Sequence, residues 1–256
     1  MRLELFLLTT APTYQQTGPN GGPAREISMW TTTDRRVGMC SAAALVLLSV
    51  MYIVTGAIWL GFSMSGVGVR GLEPSEPFLT ILETIILLLT PALVGLFAAI
   101  HAYAPPDRKT CSLAAFGFAI LLAGITGVVH FVQLTAIRRT PNTTIAEVFA
   151  LYDPTGRLTP ALAMDLVAWD FFLGFGLLFS APIFKGDRLH VAIRASMTFG
   201  GLLCLVGVAG PASGDLRFQY PGIVGYAFVF PFVCLLLTIL FARRTMEAPM
   251  AQIRDG

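Results

Sequence analysis

The sequence predicts an all-α membrane protein, a bundle of six transmembrane helices behind a disordered N-terminal tail. Composition indicates the class, because 55% of the 256 residues are hydrophobic and only 12% are charged, against about 25% charged in an ordinary soluble domain. The mean hydropathy is +0.73. Six apolar runs are each long enough to cross a hydrocarbon core about 30 Å thick. They lie near 39–63, 78–103, 111–135, 161–183, 191–211 and 221–242.

The first 37 residues are predicted to form a disordered tail. The stretch from Pro12 to Pro23 is rich in Pro, Gly, Gln, Thr and Asn and offers nothing to bury. Met29 opens a short polar lead to the first span, so it is an alternative start of translation. The predicted domains are the tail 1–37, the six-helix transmembrane domain 38–244 and a cytoplasmic C-terminal tail 245–256.

The first span carries polar, small and aromatic residues spaced three or four apart, which places them on one helix face. They are Ser49, Tyr52, Gly56, Trp59 and Ser63. We expect this face to pack inward. For Trp59 the alternative is a place in the aromatic belt at the membrane surface.

The second span contains Glu83 in an otherwise apolar setting. An acid at the membrane centre costs roughly 2.5–3.5 kcal/mol on insertion scales, and less near the surface. The Glu83 side chain is therefore expected to face a protein partner or water.

The third span has small residues at every fourth position, the spacing that lets membrane helices approach closely. They are Cys111, Ala115, Ala119, Ala123 and Gly127. His130 continues this ridge, since it lies about 20° from Ala123 on a helical wheel. The imidazole of His130 is expected to face protein, and Gln133 follows it one turn later.

The long connection 136–160 includes a predicted surface helix, 144–152, which we expect to cap the bundle. The fourth span then brings two acids, Asp165 and Asp170, about 140° apart on a helix. Asp165 is nearer the loop and is expected at the level of the headgroups, whereas Asp170 is the costlier residue to bury.

The last two spans differ in character. The fifth is rich in glycine and is predicted to be a closely packed scaffold helix, with His190 at its start. In the sixth, Tyr226 is expected to point inward. His101, at the end of the second span, is expected at headgroup level.

Basic residues predict the orientation. If both termini face the cytoplasm, five of the 17 basic residues face outward. They are Arg70, Arg138, Arg139, Arg157 and Arg217. The positive-inside rule then predicts a multi-pass protein of the cell membrane with both termini cytoplasmic. The adjacent pair Arg138 and Arg139, which would face outward, is the main observation against this orientation.

This topology brings the unusual residues to one depth, in the outer third of the bundle, as a candidate polar pocket. They are Trp59, Glu83, His130, Gln133, Asp165, Asp170 and Tyr226. We further predict that His130 forms a buried pair with Glu83 or Asp170.

Three functions remain open for such a pocket. The first is a binding or sensing bundle for a small ligand, ion or lipid headgroup. The second is a structural protein that acts through a membrane partner protein and in which a buried histidine–carboxylate pair fixes the helix register. The third is a membrane-embedded metal-dependent enzyme, which the lone histidine of the cluster disfavours.

The remaining expectations concern partners and cofactors. The lipid bilayer is the expected partner, and the net charge of +2 without a basic run argues against nucleic acid. The four cysteines are scattered with no CxxC pair. The sequence assigns no catalytic residue, metal ligand or cofactor.

Overall fold

The computed structural model describes residues 30–64, 76–139, 149–151 and 158–254, with the backbone alone for 63–64 and 244–254. Within these ranges the chain is helical between short turns and contains no strand. The first three long helices are α1 (Thr32–Met64), α2 (Phe78–Tyr103) and α3 (Lys109–Thr135).

The other three long helices are composite. Helix α4 consists of Pro160–Leu166, a π-helical turn Val167–Phe172, and Leu173–Ser180. Helix α5 consists of Arg188–Gly207 and the short extension Ala209–Ser213. Helix α6 consists of Tyr220–Val224, a second π-helical turn Gly225–Val229, and Phe230–Arg254. Single π turns inside helices occur frequently at functional sites.

Six helices in the described ranges are long and apolar enough to cross a membrane. The predicted fold class, an all-α bundle of six such helices, is therefore confirmed, and the protein is a polytopic membrane protein.

The start of the bundle needs a correction, because α1 begins before residue 38. The Trp30 ring is buried, with its centroid 4.8 Å from that of Tyr103 and 5.3 Å from that of Phe241. Thr31 and Asp34 cap the helix reciprocally: Asp34 Oδ2 accepts from Thr31 N at 2.8 Å, and Thr31 Oγ1 accepts from Asp34 N at 3.2 Å. The rest of the predicted tail and Met29 lie outside the described residues.

The helices form a closed ring in chain order. Each helix packs against the next one along the chain, and α6 returns to pack against α1. Helices α5 and α6 pack closely where both carry glycine: a Cβ added to Gly207 would lie 2.6 Å from the Cα of Gly222. On α3, Ala115 and Ala119 are buried as predicted, whereas a Cβ added to Gly127 would meet, among the described residues, only Thr90, at 3.9 Å.

Candidate functional site

A buried cluster of three ionisable side chains joins α2, α3 and α4. His130 Nδ1 lies 2.5 Å from Glu83 Oε2, and His130 Nε2 lies 3.3 Å from Asp165 Oδ1. An ionised Glu83 carboxylate can only accept, and with that charge state His130 Nδ1 is the donor of this hydrogen bond. The contact between His130 Nε2 and Asp165 Oδ1 is within ion-pair range, but it does not have the geometry of a hydrogen bond. The side chains of Glu83 and His130 are 1% and 3% exposed.

Helix geometry explains why these three residues meet. Glu83 lies five residues after the start of α2, His130 five residues before the end of α3, and Asp165 five residues after the start of α4. At 1.5 Å per residue, each lies about 8 Å from the same end of the bundle. Because successive helices run antiparallel, these positions bring the three side chains to the same depth in the bundle.

Asp165 departs from its expected place among the headgroups. Its side chain is only 15% exposed and faces α3, where Thr126 Oγ1 donates to Asp165 Oδ1 at 3.3 Å. The second oxygen, Oδ2, has neither a hydrogen bond nor an ion pair with the residues that the structure describes. Glu83 Oε1 likewise has no hydrogen-bond partner in the described chain, but it is fully buried, so Asp165 is the acid with a free and partly exposed acceptor beside His130.

A central cavity of about 210 Å³ opens beside this cluster. Five of the six helices and the segment 149–151 contribute to its wall, which places the cavity inside the ring. The polar and aromatic residues of the wall are Ser49, Tyr52, His130, Asp165, Trp169, Tyr226 and Phe230. No Lys or Arg of the described chain lines it.

Both π-helical turns supply an aromatic side chain to this cavity. Trp169 lies in the turn of α4 and Tyr226 in the turn of α6, and their ring centroids are 5.7 Å apart. Tyr52 of α1 and Phe230 of α6 complete the aromatic part of the wall. The expectation that Tyr226 points inward agrees with this geometry.

Asp170 lies outside the cavity, toward α5 and α6. It is fully buried, and Gln219 Nε2 donates to its Oδ2 at 2.8 Å. Its Oδ1 has no hydrogen-bond partner in the described chain and packs against Gly207 and Gly222. The predicted pairing of His130 thus involves Glu83 and not Asp170.

The other two members of the predicted pocket have different surroundings. Gln133 Nε2 donates to Phe149 O at 2.7 Å and so ties the loop to α3. Leu151 of the same loop lines the cavity. Residues 150 and 151 are not helical, and the other residues of the predicted surface helix, 144–148 and 152, lie outside the described residues. Trp59 is half-buried on α1, about 10 Å beyond Tyr52, and does not line the cavity.

A second polar network, which the sequence analysis did not predict, lies at the opposite end of the bundle. His190 Nδ1 donates to Asp187 Oδ1 at 2.6 Å, and Tyr103 Oη lies 2.8 Å from His190 Nε2. The hydrogen bond from the His190 side chain lowers the pKa of Asp187. The spacing of Asp187 and His190 at a helix start could have indicated the cap, but Tyr103 is 87 residues away in sequence.

Nearby, His101 Nδ1 lies 2.8 Å from Ser112 Oγ, which links α2 to α3. Among the described residues, no group of three or more His, Cys, Asp or Glu side chains is placed to hold a metal ion. Comparison of the chain with protein families, curated proteins and solved structures finds no match.

Proposed function

We propose that this protein is a membrane-embedded binding protein whose central cavity takes a small organic cation, an ammonium in chemical class. One observation carries the proposal: the cavity has carboxylate and aromatic walls and, in the described chain, no Lys or Arg to neutralise them. Intramembrane ionisable residues generally indicate a functional site.

Charge favours a cation over an anion. Glu83 and Asp165 can bring two negative charges to the cluster, and His130 can bring at most one positive charge. Within the described chain, the only pairing of Asp165 is through Oδ1, to Thr126 and His130, so Oδ2 is available to a ligand. An ammonium group at this oxygen would form an ion pair with it, and an ammonium that carries N–H bonds would also donate a charge-assisted hydrogen bond.

The aromatic wall and the size of the cavity support the same ligand class. Cations bind over the faces of Trp and Tyr rings with about 0.5–2 kcal/mol per interaction, and quaternary ammonium ligands are commonly recognised in this way. A cavity of about 150 Å³ holds benzene. The 210 Å³ between Tyr52, Trp169 and Tyr226 therefore suits a ligand slightly larger than benzene.

A second function is favoured by the short contact between His130 and Glu83. A buried, hydrogen-bonded pair between α2 and α3 can fix helix register without any ligand. In that case the protein would act as a structural element toward a membrane partner protein, and the cavity would have no specific ligand.

Ligand binding tests this choice. We expect tetramethylammonium and benzyltrimethylammonium to raise the melting temperature of the full chain in lipid nanodiscs, against sodium chloride at equal ionic strength. Asp165→Asn keeps the side-chain shape and removes the charge. Because a quaternary ammonium has no N–H to donate, the loss is that of the attraction between the two charges, which should weaken binding about ten- to a hundred-fold. Isothermal calorimetry measures the change.

The matched control is Asp170→Asn, the same substitution on the same helix but outside the cavity. It should leave the ammonium affinity within about two-fold. Neither probe stabilising the protein, or Asp170→Asn weakening binding as much as Asp165→Asn, would contradict the proposal and leave the structural function.

We also propose that the protein lies in the cell membrane with both termini in the cytoplasm. The basic residues support this orientation. In a background without the four cysteines, Ala150→Cys should react with a membrane-impermeant maleimide on intact cells. Arg243→Cys should react only after permeabilisation. The reverse labelling pattern would invert the topology.

A further inference from the structure

A basic cavity of about 430 Å³ lies at the end of the bundle opposite the charged cluster, between α3, α4 and α5. Arg108, Lys185 and Arg194 line it, together with the hydroxyl-bearing Thr198 and an apolar part that includes Leu178 and Pro182. We propose that this cavity binds the phosphate-bearing headgroup of an anionic lipid.

The position of the basic residues matches the headgroup layer. Arg108 directly precedes α3, and Lys185 lies in the turn between α4 and α5. Arg194 lies six residues into α5, about 9 Å from its start. The three cations therefore converge at the edge of the apolar spans, where lipid phosphates are found.

The cationic groups are available to a ligand. Lys185 and Arg194 are exposed, and neither side chain has an ion pair or hydrogen bond with the part of the chain that the structure describes. Arg108 uses Nε for Asp107 Oδ2 at 3.0 Å, which leaves its terminal nitrogens for a second partner. No acidic residue lines the cavity among those described.

The apolar part of the cavity favours a lipid over a soluble phosphate. Leu178, Ala181 and Pro182 continue the wall from the basic residues toward the membrane interior. A lipid can place its phosphate at the cations and its glycerol and first methylenes against these side chains. Basic pockets between transmembrane helices commonly hold anionic headgroups in this way.

Native mass spectrometry of the full chain in detergent tests the proposal, with phosphatidylglycerol and phosphatidylcholine as probes. We expect phosphatidylglycerol to bind more tightly. The double variant Lys185→Gln with Arg194→Gln should weaken phosphatidylglycerol binding about 25-fold, since each basic residue next to a bound anionic headgroup contributes about five-fold. Both residues are exposed, so the variant should melt near the wild-type temperature.

The matched control removes two exposed charges that do not line the cavity, Arg188→Gln with Arg243→Gln. It should change phosphatidylglycerol affinity less than three-fold. Equal loss in the control, or equal affinity for the two lipids, would show a general surface attraction and overturn the site. If glycerol 1-phosphate bound as tightly as phosphatidylglycerol, the cavity would be a site for soluble phosphates, and the proposal of a lipid ligand would be wrong.

Discussion

Replacing His130 with leucine should destabilise the folded protein by about 3–5 kcal/mol, the cost of leaving a buried charge without its partner. Glu83 is 1% exposed, and His130 supplies its one hydrogen bond within the described chain. Leucine fills much of the imidazole volume but offers no donor, so the Glu83 carboxylate would have to stay buried unpaired or take up a proton.

A double-mutant cycle separates the pair from simple loss of packing. His130→Leu together with Glu83→Leu should cost at least about 1–2 kcal/mol less than the sum of the single changes, because the double variant leaves neither partner of the hydrogen bond behind. The free energy of unfolding is measured by titrating the protein in mixed micelles with a denaturing detergent.

The control cycle combines His130→Leu with Asp170→Leu. These two side chains share no hydrogen bond or ion pair, and Asp170 instead contacts Gln219. Their effects should add to within about 0.5 kcal/mol. Additive effects in the Glu83 cycle as well would show that the short contact contributes nothing to stability.

Much of this fold follows from the sequence because a membrane imposes strong rules. A span must be apolar over about 20 residues, so hydropathy located all six helices. Glu83 and His130 stood out because polar groups in an apolar span need partners. Their common depth followed from counting residues along antiparallel helices.

The partners of the acids could not be obtained in this way. The wheel placed Asp165 and Asp170 on different faces but could not say which face meets α3, since that depends on how the helices are rotated in the ring. Gln219 pairs with Asp170 from 49 residues away, and nothing in its local sequence indicates that contact. The π-helical turns that aim Trp169 and Tyr226 likewise have no pattern that hydropathy detects.

Gly222 is the position where one added methyl group should have the largest effect on packing. A Cβ there would overlap Asp170 Oδ1 and lie 3.1 Å from the Cα of Gly207. Both the carboxylate and the glycine backbone of α5 are buried, so neither can move into open space. Gly222→Ala should therefore cost at least the roughly 1–3 kcal/mol typical of an overpacked core.

Gly124→Ala is the matched control, because a Cβ on this exposed glycine of α3 meets no atom of the described chain within 4 Å. It should stabilise the helix by about 0.5–1 kcal/mol, the usual preference for alanine over glycine in a helix.

Shortening the Asp170 side chain should rescue Gly222→Ala. In an Asp170→Ala background the same change should cost about 1 kcal/mol less, since the carboxylate that the new methyl group would overlap is absent. The free energy of unfolding is measured for the wild type, Gly222→Ala, Asp170→Ala and the double variant. An unchanged cost in that background would mean that Asp170 does not limit the space at Gly222, and that the close contact with Gly207 alone sets the spacing of α5 and α6.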